Sequence, residues 1–269
     1  FFVLPFTIGL VILTSMLIYT FINWIVKIEK TERQKIADGL FTIKSLSSLK
    51  EVFMESLLHR KIFKRNPLLG YMHMSLAFGW FLLIVVGDIE VKCFNGGGFK
   101  APYYPVFFRY FEPTPHQYAG ATVFPHIMDF LLLVVLSGVA LALFKRIKSS
   151  IYGLRKTTKL RLGDRIALYS LWAIFPLRLL AESAISGMYN SGGFLTHTIG
   201  AAMVSAMPLQ HLNHMLWWMY SMALGLFFIS LPFSRYMHIP TEVLLIFLRN
   251  YGIQTRKYYT SISEVEVYS

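Results

Sequence analysis

The feature that most limits what this chain can fold into is a series of long runs almost without charge. Residues 1–26 hold no Asp, Glu, Lys or Arg, and neither do residues 66–87, between Arg65 and Asp88. Residues 126–144 carry only Asp129, and residues 166–187 carry Arg178 and Glu182. Residues 183–234 are again free of charge, apart from nothing but histidines, which is too long for one crossing. The Asn190-Ser191-Gly192-Gly193 turn and Pro208 break that run, and leave 214–231 as its last span. A crossing helix needs about 20 mostly apolar residues. In lipid every backbone polar group must be bonded internally, so apolar runs of this length become helices. The expected fold is an all-α integral membrane bundle of five helices, over 3–26, 66–87, 126–144, 166–187 and 214–231.

The chain has 269 residues and a formal charge of +12, which would suggest nucleic acid if the basic residues were spread over one surface. They are not. Ten Lys and Arg lie in 27–69, eight in 145–165 and four from Arg235 onward. The loop 88–125 holds only Lys92, Lys100 and Arg109, and 188–213 holds none. Basic residues therefore alternate with the spans, and the positive-inside rule puts the N-terminus outside and the C-terminus in the cytoplasm. The charge reads as topology and contact with anionic lipid, with no nucleic-acid partner. Hydrophobic residues make up 55% and charged residues 15%, whereas soluble domains carry about 25% charge. That excludes an ordinary soluble enzyme. One cysteine, Cys93, excludes a disulfide framework, a zinc ribbon and a cysteine-ligated iron–sulfur cluster within these residues.

Outside the spans, residues 37–63 place Leu40, Phe41, Ile43, Leu46, Leu49, Phe53 and Leu57 at helical spacing among lysines, the pattern of an amphipathic helix or helix pair on the inner face. The loop 92–118, with Gly96-Gly97-Gly98 and four prolines, reads as an ordered outer cap. Residues 241–251 read as a short interfacial helix, followed by a polar cytoplasmic tail to 269. The first residue is not Met and already sits in an apolar run, so the sequence is expected to be a domain of a longer polypeptide.

Polar residues inside spans are costly to bury and are candidates for function by default. His73 lies eight residues past Arg65, and His238 three past Arg235, so the two fall at matched depth near the inner face on separate spans. Facing imidazoles can ligate a haem iron axially, and the same residues can serve as hydrogen-bonded packing histidines. Spacing alone leaves both open. Arg178 and Glu182, four apart, share one helix face and can pair, either around a quinone or haem propionate or as a structural ion pair. Asp88 and Glu90 close the second span and are read as solvated boundary acids or as acceptors of quinol protons. His126 and His214 open two spans on the outer side. His59, His116 and His197 are read as solvated or capping residues.

The segment Pro232-Phe233-Ser234-Arg235-Tyr236-Met237-His238-Ile239 resembles the Pro-Phe-Ser-Arg-x-x-His element of the nitrate reductase gamma-subunit family of membrane cytochromes b. Gly70-Tyr71-Met72-His73 is similar to that family's second helix at its first haem ligand. Trp217-Trp218 and Arg178-Leu179-Leu180-Ala181-Glu182-Ser183 bring the pattern closer to the relatives associated with heterodisulfide reductase and sulfite reductase. The resemblance covers about residues 55–250. It implies that His73 and His238 ligate an inner haem b, with Arg235 as a propionate partner. The family's second ligand pair falls here on Leu83 and Tyr220, so an outer haem is either absent or held by other residues, His126 and His214 being the pair to test. Tyr220 could also donate to a quinone carbonyl.

The function this implies is a haem-b electron-transfer subunit or domain in a prokaryotic cytoplasmic membrane. It would link a quinone, menaquinone-like, to a cytoplasmic iron–sulfur protein or fused ferredoxin-like domain. Two alternatives stand beside it. One is a haem-free membrane anchor or small-solute transporter, which the lack of an internal repeat disfavours. The other is a cytochrome of the ferric-reductase or b561 kind, which Leu83 and Tyr220 disfavour.

Overall fold

The computed structural model describes residues 3–94, 118, 120–153, 160–206 and 208–253, and among them the elements are helical with no strand. Five helices are long and apolar enough to cross a membrane. They are α1 (Leu4–Lys27), α5 (Pro67–Phe94), α6 (Phe124–Ile151), α7 (Leu162–Tyr189) and α9 (Leu209–Ser230). The shortest has 22 residues, about 33 Å at 1.5 Å per residue, against a hydrocarbon core of about 30 Å. The five-helix all-α expectation is met. The fifth helix begins at Leu209 rather than at 214, directly after Pro208, because a helix start tolerates polar residues such as Asn213 and His214 in its first turns.

Between α7 and α9 lies α8 (Phe194–Ala206), in a segment expected to be a loop. Its 13 residues reach about 20 Å, too short to cross. The basic segment folds as α2 (Lys30–Gly39), α3 (Ile43–Val52), a π-helical turn (Phe53–Leu57) and α4 (Arg60–Arg65). Two 3-10 turns, Leu231–Phe233 and Arg235–Met237, lead into α10 (His238–Asn250). The Gly96-Gly97-Gly98 loop, His116 and the tail beyond 253 lie outside the described residues.

Packing follows one pair and one set of three. α5 lies against α6, and α9 lies between α7 and α1. The α1–α9 contact is close because a Cβ on Gly225 would collide with the Pro5 carbonyl oxygen. One apolar core, including Phe6, Leu83, Leu132, Phe175, Trp217 and Leu224, joins α1, α5, α6, α7 and α9. At the basic ends of the spans, α3 and α10 dock through polar contacts: Arg249 to Glu51 at 2.7 Å and Ser45 to the Tyr251 hydroxyl at 2.7 Å. Away from α10, α3 and the turns flanking it leave Phe41, Ile43 and Leu46 exposed, as an interfacial helix would.

Candidate functional site

His73 sits on α5, near the end of the span that meets the basic segment. His59, His238 and Lys145 are its electrostatic neighbours. His59 lies beside it. Its ring stacks on that of His73 with centroids 5.4 Å apart and planes 22° apart. α4 is held against α5 to make this possible, and Gly70 leaves the room: a Cβ there would meet Phe63 Cα at 2.5 Å.

His238 is the first residue of α10, and the turn before it is built by polar contacts. Asp164, near the start of α7, accepts the Arg235 N–H at 2.8 Å and the Arg161 N–H at 3.1 Å. Ser234 Oγ accepts the Tyr236 N–H at 3.3 Å. The Arg235 carbonyl then faces His238 Nδ1 at 2.5 Å. A carbonyl can only accept, so the proton sits on Nδ1 and a neutral His238 keeps its Nε2 lone pair free. This second bond is what orients metal-ligating imidazoles. His238 itself is exposed.

The donor set fits a haem. Neutral imidazoles on separate helices, His73 and His238, are donors of the kind that would hold a haem iron. Arg235, with Nε 3.9 Å from Asp164 Oδ2, and Lys145 provide cations near the same place. Tyr236 closes the turn against Phe227, ring centroids 5.9 Å apart, and burial pushes its phenol up to about 12.

The other sequence candidates lie elsewhere. Arg178 and Glu182 are both buried and pair through Arg178 Nε and Glu182 Oε1. Arg178 also hydrogen-bonds Tyr220, which packs edge-on to Trp217 at 5.6 Å. The three sequence candidates thus form one buried cluster between α7 and α9. Glu182 also lines a small cavity of about 30 Å³ with Asp129, Ser186 and Thr196, room for water. Leu83, 0% exposed, and Tyr220, 1% exposed, belong to the same packed core.

His126 and His214 are engaged separately, near the starts of their helices. His126 lies 6.2 Å from the Phe194 ring, and His214 Nε2 accepts the Trp218 Nε1–H at 3.0 Å. Their helices pack on different partners, α6 on α5 and α9 on α7 and α1. Asp88 forms an i,i+4 pair with Lys92 at 2.8 Å. Glu90 is not the solvated boundary acid expected: it is 0% exposed and accepts the Tyr118 hydroxyl at 2.5 Å.

Three residues are not evident from sequence. His59 reads there as a solvated residue, and nothing in its neighbours signals the left-handed turn that brings it to His73. Asp164 three residues after Arg161, just before an apolar run, is a weak capping-box signal. Asp129 caps α8, accepting the Leu195 N–H at 2.7 Å, the Thr196 N–H at 3.0 Å and the Thr196 hydroxyl at 3.0 Å. An acid near the start of a span is the only clue to it.

Comparison with known proteins gives one informative similarity. Over 101 residues, 37% of this chain, the sequence is 30% identical to a subunit of the dihydromethanophenazine:CoB–CoM heterodisulfide reductase of Methanosarcina acetivorans. The match spans about a third of that protein, 34% of its length. No family model matches the chain, and no solved structure matches it.

Proposed function

We propose that the chain is a membrane electron-transfer subunit or domain that holds one haem b between His73 and His238 and exchanges electrons with a quinone. The observation that supports this reading is His238, an electrostatic neighbour of His73, with its Nδ1 bonded to a carbonyl, which leaves Nε2 available as a ligand. The sequence similarity to a heterodisulfide reductase subunit points the same way, toward an oxidoreductase complex. A bound haem supplies a one-electron carrier. The protein's part is to fix the two imidazole planes and to set cations, Arg235 and Lys145, where carboxylates can be neutralised.

One haem is the expected number, because the positions of a second pair in the nitrate reductase gamma-like pattern are the buried core residues Leu83 and Tyr220. His126 and His214 stay the pair to examine should a second haem be found. The quinone, menaquinone-like, is assigned to the intramembrane polar cluster of Arg178, Glu182 and Tyr220, the groups whose burial asks for a reason. The basic face is the cytoplasmic side of a prokaryotic membrane in this reading, where its Lys and Arg suit an iron–sulfur partner or a fused ferredoxin-like domain.

The test is a reduced-minus-oxidised spectrum with haem-to-protein ratio on the protein purified from cells supplied with haem, repeated after anaerobic addition of a menaquinol analogue. A b-type spectrum with a ratio near one, reducible by the quinol, is expected. His73→Ala and His238→Ala should each abolish it. A chain without b-type absorption, or a spectrum that survives both substitutions, refutes the assignment.

A further inference from the structure

His59 gathers three uncommon features in one place. It follows a π-helical turn, Phe53–Leu57, and single π turns inside helical segments are rare and cluster at functional sites. It holds a left-handed backbone, φ 50° and ψ 41°, although it has a Cβ. Only one other described non-glycine residue, Asn190, has positive φ, and that asparagine ends α7 where such a conformation is ordinary. A strained residue persists when its surroundings over-determine it. Here they do: Phe53 packs edge-on against Phe78 of α5 at 5.6 Å, α4 closes on Gly70, and the strained residue delivers its ring to that of His73.

The ring is also oriented. His59 Nδ1 lies 3.2 Å from the Leu57 carbonyl, which can only accept, so the proton is on Nδ1 as it is in His238. The stacked arrangement has a specific consequence. With centroids 5.4 Å apart and planes 22° apart, the two imidazoles form an offset, nearly parallel stack. An axial ligand binds through a ring nitrogen in the ring plane. A ring stacked alongside in this way limits rotation of the His73 plane.

We infer that His59 is a positioning residue for the haem: by stacking on His73 it sets the plane of that axial imidazole. The inference rests on the proposed haem ligation by His73 and His238. The relative orientation of two axial imidazole planes governs the spread of g values of a low-spin ferric haem. Holding the ligand's plane also affects the haem's potential.

The experiment uses the whole chain in detergent or nanodiscs, with low-temperature EPR of the oxidised haem and a redox titration. His59→Ala removes the ring, and His59→Phe keeps a ring in that place without its nitrogens. His59→Ala should retain the haem at the unsubstituted ratio, while its largest g value shifts and broadens and its midpoint potential moves. His59→Phe should restore the sharp g value. Unchanged g values and potential in His59→Ala would overturn the inference. Loss of haem from both variants, with folding preserved by thermal midpoint, would also overturn it, by making His59 a direct ligand. A haem-free unsubstituted chain would refute the ligation itself, a result distinct from either.

Discussion

Asp164 offers the sharpest test of how the His238 turn is built, because it never touches the imidazole it is argued to place. Its carboxylate accepts two backbone N–H groups, Arg235 at 2.8 Å and Arg161 at 3.1 Å, at the buried start of α7. Hydrogen bonds to a charged group contribute about 1.5–3 kcal/mol each. Only the Arg235 bond bears on His238, since that residue's carbonyl is what holds Nδ1. Taking about 2 kcal/mol for it, and about 1.4 kcal/mol per decade, Asp164→Ala should weaken haem binding about 30-fold. That lies within the roughly 10–100-fold usual for outer-shell partners of metal ligands. Asp164→Asn keeps a neutral acceptor worth about 1 kcal/mol, so its loss should be only about fivefold. The assay is titration of haem-free protein with haemin, followed at the Soret band, with thermal unfolding as the control for folding. A folded Asp164→Ala protein that binds haemin within about twofold of the unsubstituted chain would refute the reasoning; the twofold margin is about 0.4 kcal/mol.

Two further expectations concern the frame around the site. Asp129→Ala should free the first amides of α8, and hydrogen exchange at Leu195 and Thr196 should speed up about 5- to 30-fold, the equivalent of a lost cap of about 1–2 kcal/mol; unchanged exchange would show that α8 does not depend on that cap. Burial raises the Tyr236 phenol above its ordinary value, so the stability this costs at high pH is absent below about pH 10 and grows as pH rises toward 12, where the unfolded chain ionises first. Tyr236→Phe, monitored by thermal midpoint across that range, should show a weaker decline, and an identical decline in both proteins would count against it.

The spans are legible because a charge-free run of twenty residues has one solution in lipid, and its length does not depend on tertiary contacts. The edges are less so. The start of α9 is hidden by His211, Asn213 and His214, polar residues that a helix accommodates in its first turns. α8 is invisible because 13 mostly apolar residues after a turn carry no signal that separates helix from loop. What reveals it is Asp129, a residue 65 positions before the helix's first residue, Phe194. His73 and His238 stand out by depth and by the motif around them. His59 does not, because its role depends on a π turn and a left-handed residue, and neither has a sequence pattern. Glu90 misleads for a similar reason: position at a helix end suggests water, but a tyrosine hydroxyl supplied by a distant segment takes water's place.

The packed layer around Leu83 and Tyr220 has an electrical consequence. Leu83 is ten residues along α5 from His73, about 15 Å of helix filled with apolar side chains. For a chain with a single carrier at His73, that layer is an insulator. An electron passing between His73 and a quinone at the Arg178, Glu182 and Tyr220 cluster would have to cross that layer, and the step would work against part of the transmembrane potential, which weighs about 2.3 kcal/mol per charge at about 100 mV for a full crossing. Two stacked carriers would make a wire across the bilayer; a single carrier would leave the apolar layer to be crossed in one step.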